Sequence, residues 1–188
     1  LESAVSVGRA SGERAVRRLG ARQLGTMKVP VLFAPDVARG LVGHFVGAVR
    51  GGSQYRRASF LLDAAGQQVF PDWFSISERP HLPRALASAP FDHEGVATRD
   101  RELVSAGVLL GYVLGTYSAR KLGLRTTGNA GGTHNLLVHG RGRDFAGMLA
   151  LMDRGLLVTE LMGQGVNGVT GDYSRGAVGF WVENGRLA

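Results

Sequence analysis

Hydrophobic residues near the start of the chain follow first a strand-like spacing and then a helical one. The run KVPVLF at residues 28–33 is short, apolar and rich in β-branched residues, which predicts a buried strand. Pro30 favours an edge position or a strand start for this run. Pro35 then begins a predicted helix, because apolar residues recur at helical spacing as far as residue 49. These residues are Val37, Leu41, Val42, Phe45, Val46 and Val49.

From residue 58 onward, short apolar segments alternate with turn residues. The segments are FLL, QQVF, WFSIS, VLLGYVL, HNLLV, LLVTELM and AVGFWVE. This spacing favours an antiparallel, hairpin-rich sheet, in which Asn167-Gly168 and Asn184-Gly185 are typical of two-residue turns. Helices are predicted around residues 116–122 and 144–152. The predicted fold class is therefore α+β, with a few helices concentrated toward the N-terminal side.

The first residues predict a further helix. Residues 2–20 mix apolar and arginine side chains in a basic amphipathic pattern that Ser11-Gly12 interrupts. We interpret residues 1–27 as the tail of an upstream domain. Residues 28–188 are expected to be one C-terminal domain without its extreme C-terminus.

The composition is that of an ordinary folded protein and excludes several classes of site. Of the 188 residues, 44% are hydrophobic and 20% are charged. The absence of cysteine excludes disulfides, a thiolate nucleophile and cysteine-ligated metals, and it fits a reducing cytoplasm, the predicted location. The longest apolar run, at residues 108–115, is far shorter than the roughly 20 residues that a membrane span needs, so no membrane partner is expected.

The net charge of +7 comes from the first 57 residues of the chain. Residues 1–57 contain ten Lys or Arg and three Asp or Glu, whereas the rest of the chain contains twelve of each. A basic segment can bind nucleic acid, but this one can equally be covered by another domain. Nucleic acid is therefore not expected as the main partner.

Two glycine-rich motifs resemble nucleotide-binding loops without their structural setting. GQGVNG at residues 163–168 matches G-x-G-x-x-G, but turn-forming residues follow it where a helix is required. TTGNAGG at residues 126–132 lacks the Lys-Ser or Lys-Thr of a phosphate loop. Gly163, Gly165 and Gly168 are expected to serve turns or close backbone packing, and TTGNAGG is not expected to act as a phosphate loop.

Three longer segments resemble the TldD/TldE family. They are residues 91–112, residues 116–136 and, most specifically, LLVTELMGQGVNGVTGDYSRGAVGFWVENG at residues 156–185. Together with FPDWFSISERPHLPRALASAPFD at residues 70–92, they are most similar to the TldE (PmbA) branch. The resemblance extends from about residue 28 to the end of the chain.

The resemblance implies one of two related subunits of a cytoplasmic, heterodimeric metallopeptidase that acts on unstructured peptides. Such proteins are linked to the maturation of peptide antibiotics and to antitoxin degradation. The TldD subunit holds its metal with H-E-x-x-x-H on a helix, and the corresponding residues here are Gly43, His44 and Ala48. One imidazole does not hold zinc at useful affinity. The expected chain is therefore non-catalytic and binds no cofactor, and zinc is expected in a TldD-type partner.

Polar residues of the glycine-rich segments are the candidate contacts for an unstructured peptide. They are Asn129, Asn135, Gln164, Asn167, Asp172, Tyr173 and Arg175. An exposed strand edge beside them can bind any peptide backbone through main-chain hydrogen bonds. The alternative role for each residue is stabilisation of its own turn.

Two other functions stay open at this point. The chain can be a self-sufficient metal-dependent peptidase that uses His44 and an acidic residue such as Glu94. It can also be a nucleic-acid-binding or gyrase-associated module, which the basic first 57 residues and the family's older name as a gyrase modulator suggest. Self-association beside or instead of pairing with a TldD-type subunit is also left open.

Overall fold

Two four-stranded sheets, each with its own hydrophobic core, form the protein in the computed structural model, which describes residues 2–188. The helices are α1 (Ala4–Val16), α2 (Pro35–Val49), α3 (Gly51–Tyr55), α4 (Thr116–Leu122) and α5 (Phe145–Met152). The strands are β1 (Val31–Phe33), β2 (Ser75–Glu78), β3 (Arg101–Ser105), β4 (Val108–Leu109), β5 (Leu136–His139), β6 (Gly155–Met162), β7 (Gly176–Glu183) and β8 (Arg186–Leu187). The α+β class is confirmed, although α4 and α5 extend the helices into the second half of the chain.

The first sheet has the order β1-β6-β7-β8. Strand β1 follows Pro30 and pairs with β6 in parallel at the edge, as the proline predicts. Strands β6 and β7 form a long antiparallel hairpin, and Asn184-Gly185 joins β7 to β8 with both residues at positive φ. Leu149 of α5 packs on this sheet and closes its core.

The second sheet has the order β4-β3-β2-β5 and is antiparallel throughout. Helix α2 packs on it with the apolar side that the sequence predicts, and its bounds match the prediction. Phe45 lies edge-on against Phe70, with ring centroids 4.9 Å apart, while Val49 is fully buried. Helix α2 follows β1 of the first sheet along the chain and packs on the second sheet, so it connects the two sheets.

Several local predictions are wrong. FLL forms a turn, and QQVF forms no strand, since Gln68 makes only an isolated bridge to Val108. Helix α1 runs without interruption through Ser11, whose hydroxyl donates to the carbonyl of Val7 and so satisfies its polar group inside the helix. Among residues 2–188, no helix is both long and apolar enough to cross a bilayer.

Candidate functional site

A cleft of about 1520 Å³ opens between α2, β5 and the connection from β6 to β7. We call this connection, residues 163–175, the tongue. Its sides are largely apolar, with Phe60, Phe70 and Val138 among the lining residues. The cleft therefore combines a hydrophobic interior with polar groups from the tongue, as ligand sites commonly do.

Helix α2 forms one wall of the cleft with a face that is nearly free of side chains. A Cβ atom placed on Gly43 or Gly47 would meet no other group within 4 Å. His44 is exposed beside them, whereas Phe45 and Ala48 are buried. Because a helix turns once in 3.6 residues, the same segment that fills the core also presents bare backbone to the cleft.

The tongue is a folded turn that lies over the cleft. The side-chain oxygen of Asn167 accepts hydrogen bonds from the amides of Val169 and Thr170, at 2.9 and 3.4 Å. The amide of Phe60 donates to the carbonyl of Gly168 at 3.0 Å and anchors the tip of the tongue. The two-residue turn predicted at Asn167-Gly168 is wrong, because neither residue has positive φ and the side chain of Asn167 builds a wider turn instead.

Strand β5 lies at the edge of the second sheet. It pairs with β2 on one side, and no other strand of the described residues pairs with it. Leu136 and Val138 line the cleft from this strand. Strand β5 therefore brings an unpaired sheet edge to the cleft that the bare face of α2 also lines.

Five of the predicted peptide contacts line the cleft: Asn135, Gln164, Asn167, Tyr173 and Arg175. The ring of Tyr173 lies edge-on to that of His44 across the cleft. The amide of Asn135 has both donor hydrogens engaged, with the carbonyl of Arg79 and the hydroxyl of Ser88. Asn135 thus lines the cleft and also holds the segment from Arg79 to Ser88 through its side chain.

The other two candidates lie elsewhere. Asn129 is 5% exposed and donates to the buried carboxylate of Glu78 at 2.7 Å, so its amide is not available to a peptide. Asp172 accepts a hydrogen bond from the hydroxyl of Thr170 at 2.6 Å inside the tongue and is not among the described residues that line the cleft. Asn129 also donates to the carbonyl of Gly132 at 3.0 Å, so it links its own turn to Glu78.

A buried polar network behind the cleft was not predicted. Glu78 is 2% exposed and accepts hydrogen bonds from Arg101, from the side chain of Asn129 and from the amide of His134, each at 2.7 Å. It ties β2 and β3 to the loop that leads into β5. The sequence carries no spacing signal for this network, because its members are far apart along the chain.

Asp92 holds a second loop in a similar way. Its carboxylate accepts from the amides of Glu94, Val96 and Ala130, at 2.9, 3.0 and 2.9 Å. Burial alone would raise the pKa of the Asp92 carboxyl, but these three N–H groups and nearby His134 outweigh burial and hold the pKa below its usual value of 3.8. Asp92 is thus a structural anion.

Comparison with known proteins identifies the family. Residues 26–188 match the family model described as the PmbA/TldA metallopeptidase C-terminal domain. The chain belongs to the PmbA/TldD metallopeptidase family. Metalloprotease PmbA of Escherichia coli O157:H7 is 57% identical to it over 181 residues, which make up 96% of this chain and 40% of that protein. The chain therefore spans about 40% of the length of this curated relative.

Solved structures of PmbA/TldD relatives share the fold. A protein of Bacteroides thetaiotaomicron described as a modulator of DNA gyrase superposes with a TM-score of 0.91 at 32% identity, over 96% of this chain and 41% of that one. TldE of Thermococcus kodakarensis superposes with a TM-score of 0.75 at 25% identity, over 95% of this chain and 44% of that one. The predicted membership of the TldE (PmbA) branch is confirmed.

The residues of this chain do not fit the metal that the family name implies. Protein zinc sites use three or four His, Cys, Asp or Glu side chains. Of the described cleft-lining residues, His44 alone is of these types, and Gly43 and Ala48 offer no donor. Glu94, the acidic residue considered with His44, accepts from the amide of Thr116 at 2.7 Å and is not among those residues. Within residues 2–188, no three or more such side chains are placed so that they could hold a metal ion together.

Proposed function

We propose that this chain is the non-catalytic subunit of a TldD/TldE-type heterodimeric metallopeptidase. In this proposal the cleft holds an extended segment of an unstructured peptide, and a TldD-type partner supplies the metal and the chemistry. Precursors of peptide antibiotics and antitoxins, the substrates implied by the family, are the class of chain that such a cleft suits.

The observation that carries the proposal is the bare face of α2. The helix is positioned against a large cleft, as an active-site helix would be, yet around the position of the metal motif it presents exposed Gly43 and His44 and half-buried Gly47. Glycine offers no metal ligand, but it leaves room for another backbone to approach closely. The site is thus suited to holding a chain rather than to activating water.

The free edge of β5 supports an extended conformation of the bound peptide. A strand added to a sheet edge lies about 4.8 Å from its neighbour and bonds through its main chain, whatever its sequence. Leu136 and Val138 would then contact alternate side chains of the peptide. This mode fits a peptidase that accepts many sequences.

A pair of matched tryptophan substitutions tests where the peptide binds. Gly40 and Gly43 both lie on α2 with open space at the Cβ position, but only Gly43 is among the described cleft-lining residues. We expect Gly43→Trp to weaken the binding of a fluorescent unstructured peptide by at least about tenfold, a loss of roughly 1.4 kcal/mol, and Gly40→Trp to leave it within twofold. Equal effects of the two substitutions would argue against the cleft as the peptide site.

The subunit assignment needs a separate experiment. The full-length protein is co-expressed with a TldD-type subunit, and peptidase activity is compared with that of each subunit alone. We expect co-purification, activity in the pair and none in this subunit. Activity of the TldD-type subunit that is the same with or without this chain would reject the proposal.

A further inference from the structure

The charged groups of the cleft are all of one sign. Arg39, Arg50 and Arg175 line it, and none of the described lining residues is Asp or Glu. None of these three arginines forms an ion pair within residues 2–188. The cleft therefore presents guanidinium groups whose counter-charge is not supplied by the described part of the chain.

Arg175 is half-buried, whereas Arg39 and Arg50 are exposed, and the other half-buried arginines of the described residues have carboxylate partners. Arg79 pairs with Glu102, and Arg101 pairs with Glu78. Long charged side chains are seldom buried without such a partner. Arg175 is therefore the half-buried arginine of the described residues that has no carboxylate partner.

Arg50 is held in place by the backbone around it. It joins α2 to α3, and the amide of Gly51 donates to the carbonyl of Val113, while the amide of Val113 donates to the carbonyl of Val49. Its guanidinium lies 3.2 Å from the point where a Cβ on Gly132 would stand. Arg50 therefore reaches from the helix junction toward the loop before β5.

Arg175 has an unused donor. Its Nε is buried and has no hydrogen-bond partner among residues 2–188. A buried N–H without an acceptor is unfavourable, so an acceptor brought by a ligand would be bound with a gain that an exposed arginine cannot give. Arg175 stands at the base of the tongue, directly before β7.

We propose that the cleft selects peptides by a carboxylate, which Arg50 and Arg175 bind. This inference rests on the proposed peptide-binding function and adds the class of peptide. The carboxylate can belong to an acidic side chain or to the C-terminus, and the planar guanidinium fork suits both. The apolar walls and the free edge of β5 favour a peptide over a phosphate-rich polymer as the carrier of that charge.

The test measures fluorescence anisotropy with the full chain and four unstructured peptides of one length. Two contain central glutamates and two contain glutamines in their place, and each is made with a free or an amidated C-terminus. Because charge-assisted hydrogen bonds are strong, we expect the peptide with the preferred carboxylate to bind about tenfold more tightly than the matched peptide without it. Comparison of the glutamate with the glutamine peptides, and of the free with the amidated C-termini, shows which of the two carboxylates the cleft binds.

Variants connect the preference to the two arginines. Arg50→Gln and Arg175→Gln should each reduce the preference for the carboxylate peptide by about tenfold, whereas Arg175→Lys should keep part of the preference. Arg99→Gln is the matched control, because Arg99 is exposed and is not among the described cleft-lining residues. Circular dichroism and thermal unfolding of each variant show whether it is folded.

The possible failures are distinguishable. Equal binding of all four peptides, with each weakened by Gly43→Trp, would overturn the carboxylate preference and leave the peptide-binding function standing. No binding of any peptide would reject both. A preference that survives in the folded Arg50→Gln and Arg175→Gln variants, or tighter binding of single-stranded DNA at the same site, would also overturn the inference.

Discussion

The imidazole ring of His44 meets the ring of Tyr173 edge-on, with the two ring centroids 6.0 Å apart. This contact joins the exposed face of α2 to the tongue, two parts of the chain that enclose the cleft from different sides. His44 stands where the family resemblance implies the glutamate of the H-E-x-x-x-H motif in TldD, and in this chain it forms half of an aromatic pair.

Removal of the tyrosine ring should loosen the tongue. Such aromatic pairs contribute about 0.5–1.5 kcal/mol, so we expect Tyr173→Ala to weaken binding of an unstructured peptide by roughly 3- to 10-fold. Tyr173→Phe keeps the ring and should bind within about twofold of the wild type. Peptide titrations of the three proteins measure this, and equal losses in the Phe and Ala variants would assign the effect to the hydroxyl group instead.

Glycine-to-alanine substitutions should have opposite effects on the two sides of the fold. Gly43 is helical and open, so Gly43→Ala should raise the free energy of unfolding by about 0.5–1 kcal/mol. A Cβ on Gly179 would collide with the carbonyl of Leu157 in β6, so Gly179→Ala should lower the free energy of unfolding by roughly 1–3 kcal/mol. Urea unfolding measures both, and a destabilised Gly43→Ala would show that the helix face is packed.

The carboxylate of Glu78 should be essential to the second sheet. Glu78→Ala leaves Arg101 and Asn129 without their buried acceptor, and loss of one partner from a buried ion pair costs about 3–5 kcal/mol. Asp72→Ala serves as the control, because Asp72 is exposed and its replacement should change the free energy of unfolding by less than about 0.5 kcal/mol. Denaturant unfolding that gives equal values for both variants would contradict the role of the network.

Asp92 should make stability depend on acid pH. Because its folded-state pKa is lowered, its contribution is fully present above the ordinary pKa of about 4 and disappears as the pH falls through the lowered pKa. Asp92→Asn should cost roughly 1–3 kcal/mol at neutral pH through the loss of charge-assisted bonds to three amides.

The difference in unfolding free energy between the wild type and Asp92→Asn should therefore shrink when the pH is lowered from 7 to about 3. Asp72→Asn, at an exposed site, should show no such convergence. A constant difference across this range would mean that the negative charge of Asp92 does not stabilise the folded protein.

The elements that follow from local signals could be predicted from the sequence. Helix α2 has a proline at its start and an apolar side that repeats over four turns, and Asn184-Gly185 has the positive φ angles that this pair favours. Asn167-Gly168 carries the same two residue types, but its turn is set by contacts with residues 169–172 and with Phe60. The dipeptide alone does not contain that information.

The site could be predicted only in part, for a related reason. Residues of the tongue were identified from their polar character within a glycine-rich segment, and most of them line the cleft. Arg50 was missed because an arginine after a helix has no distinctive pattern; its position across from Gly132 depends on the folded arrangement of α2 and the loop before β5. Glu78 was missed for the same reason, since its partners lie in other elements.

The metal content of the purified full-length protein, saturated with zinc and then dialysed, tests the central claim most directly. The account predicts far less than one zinc ion per chain, with no change in His44→Ala, because Gly43 and Ala48 provide no ligands beside the single imidazole. One tightly held zinc ion per chain that is lost in His44→Ala would contradict it.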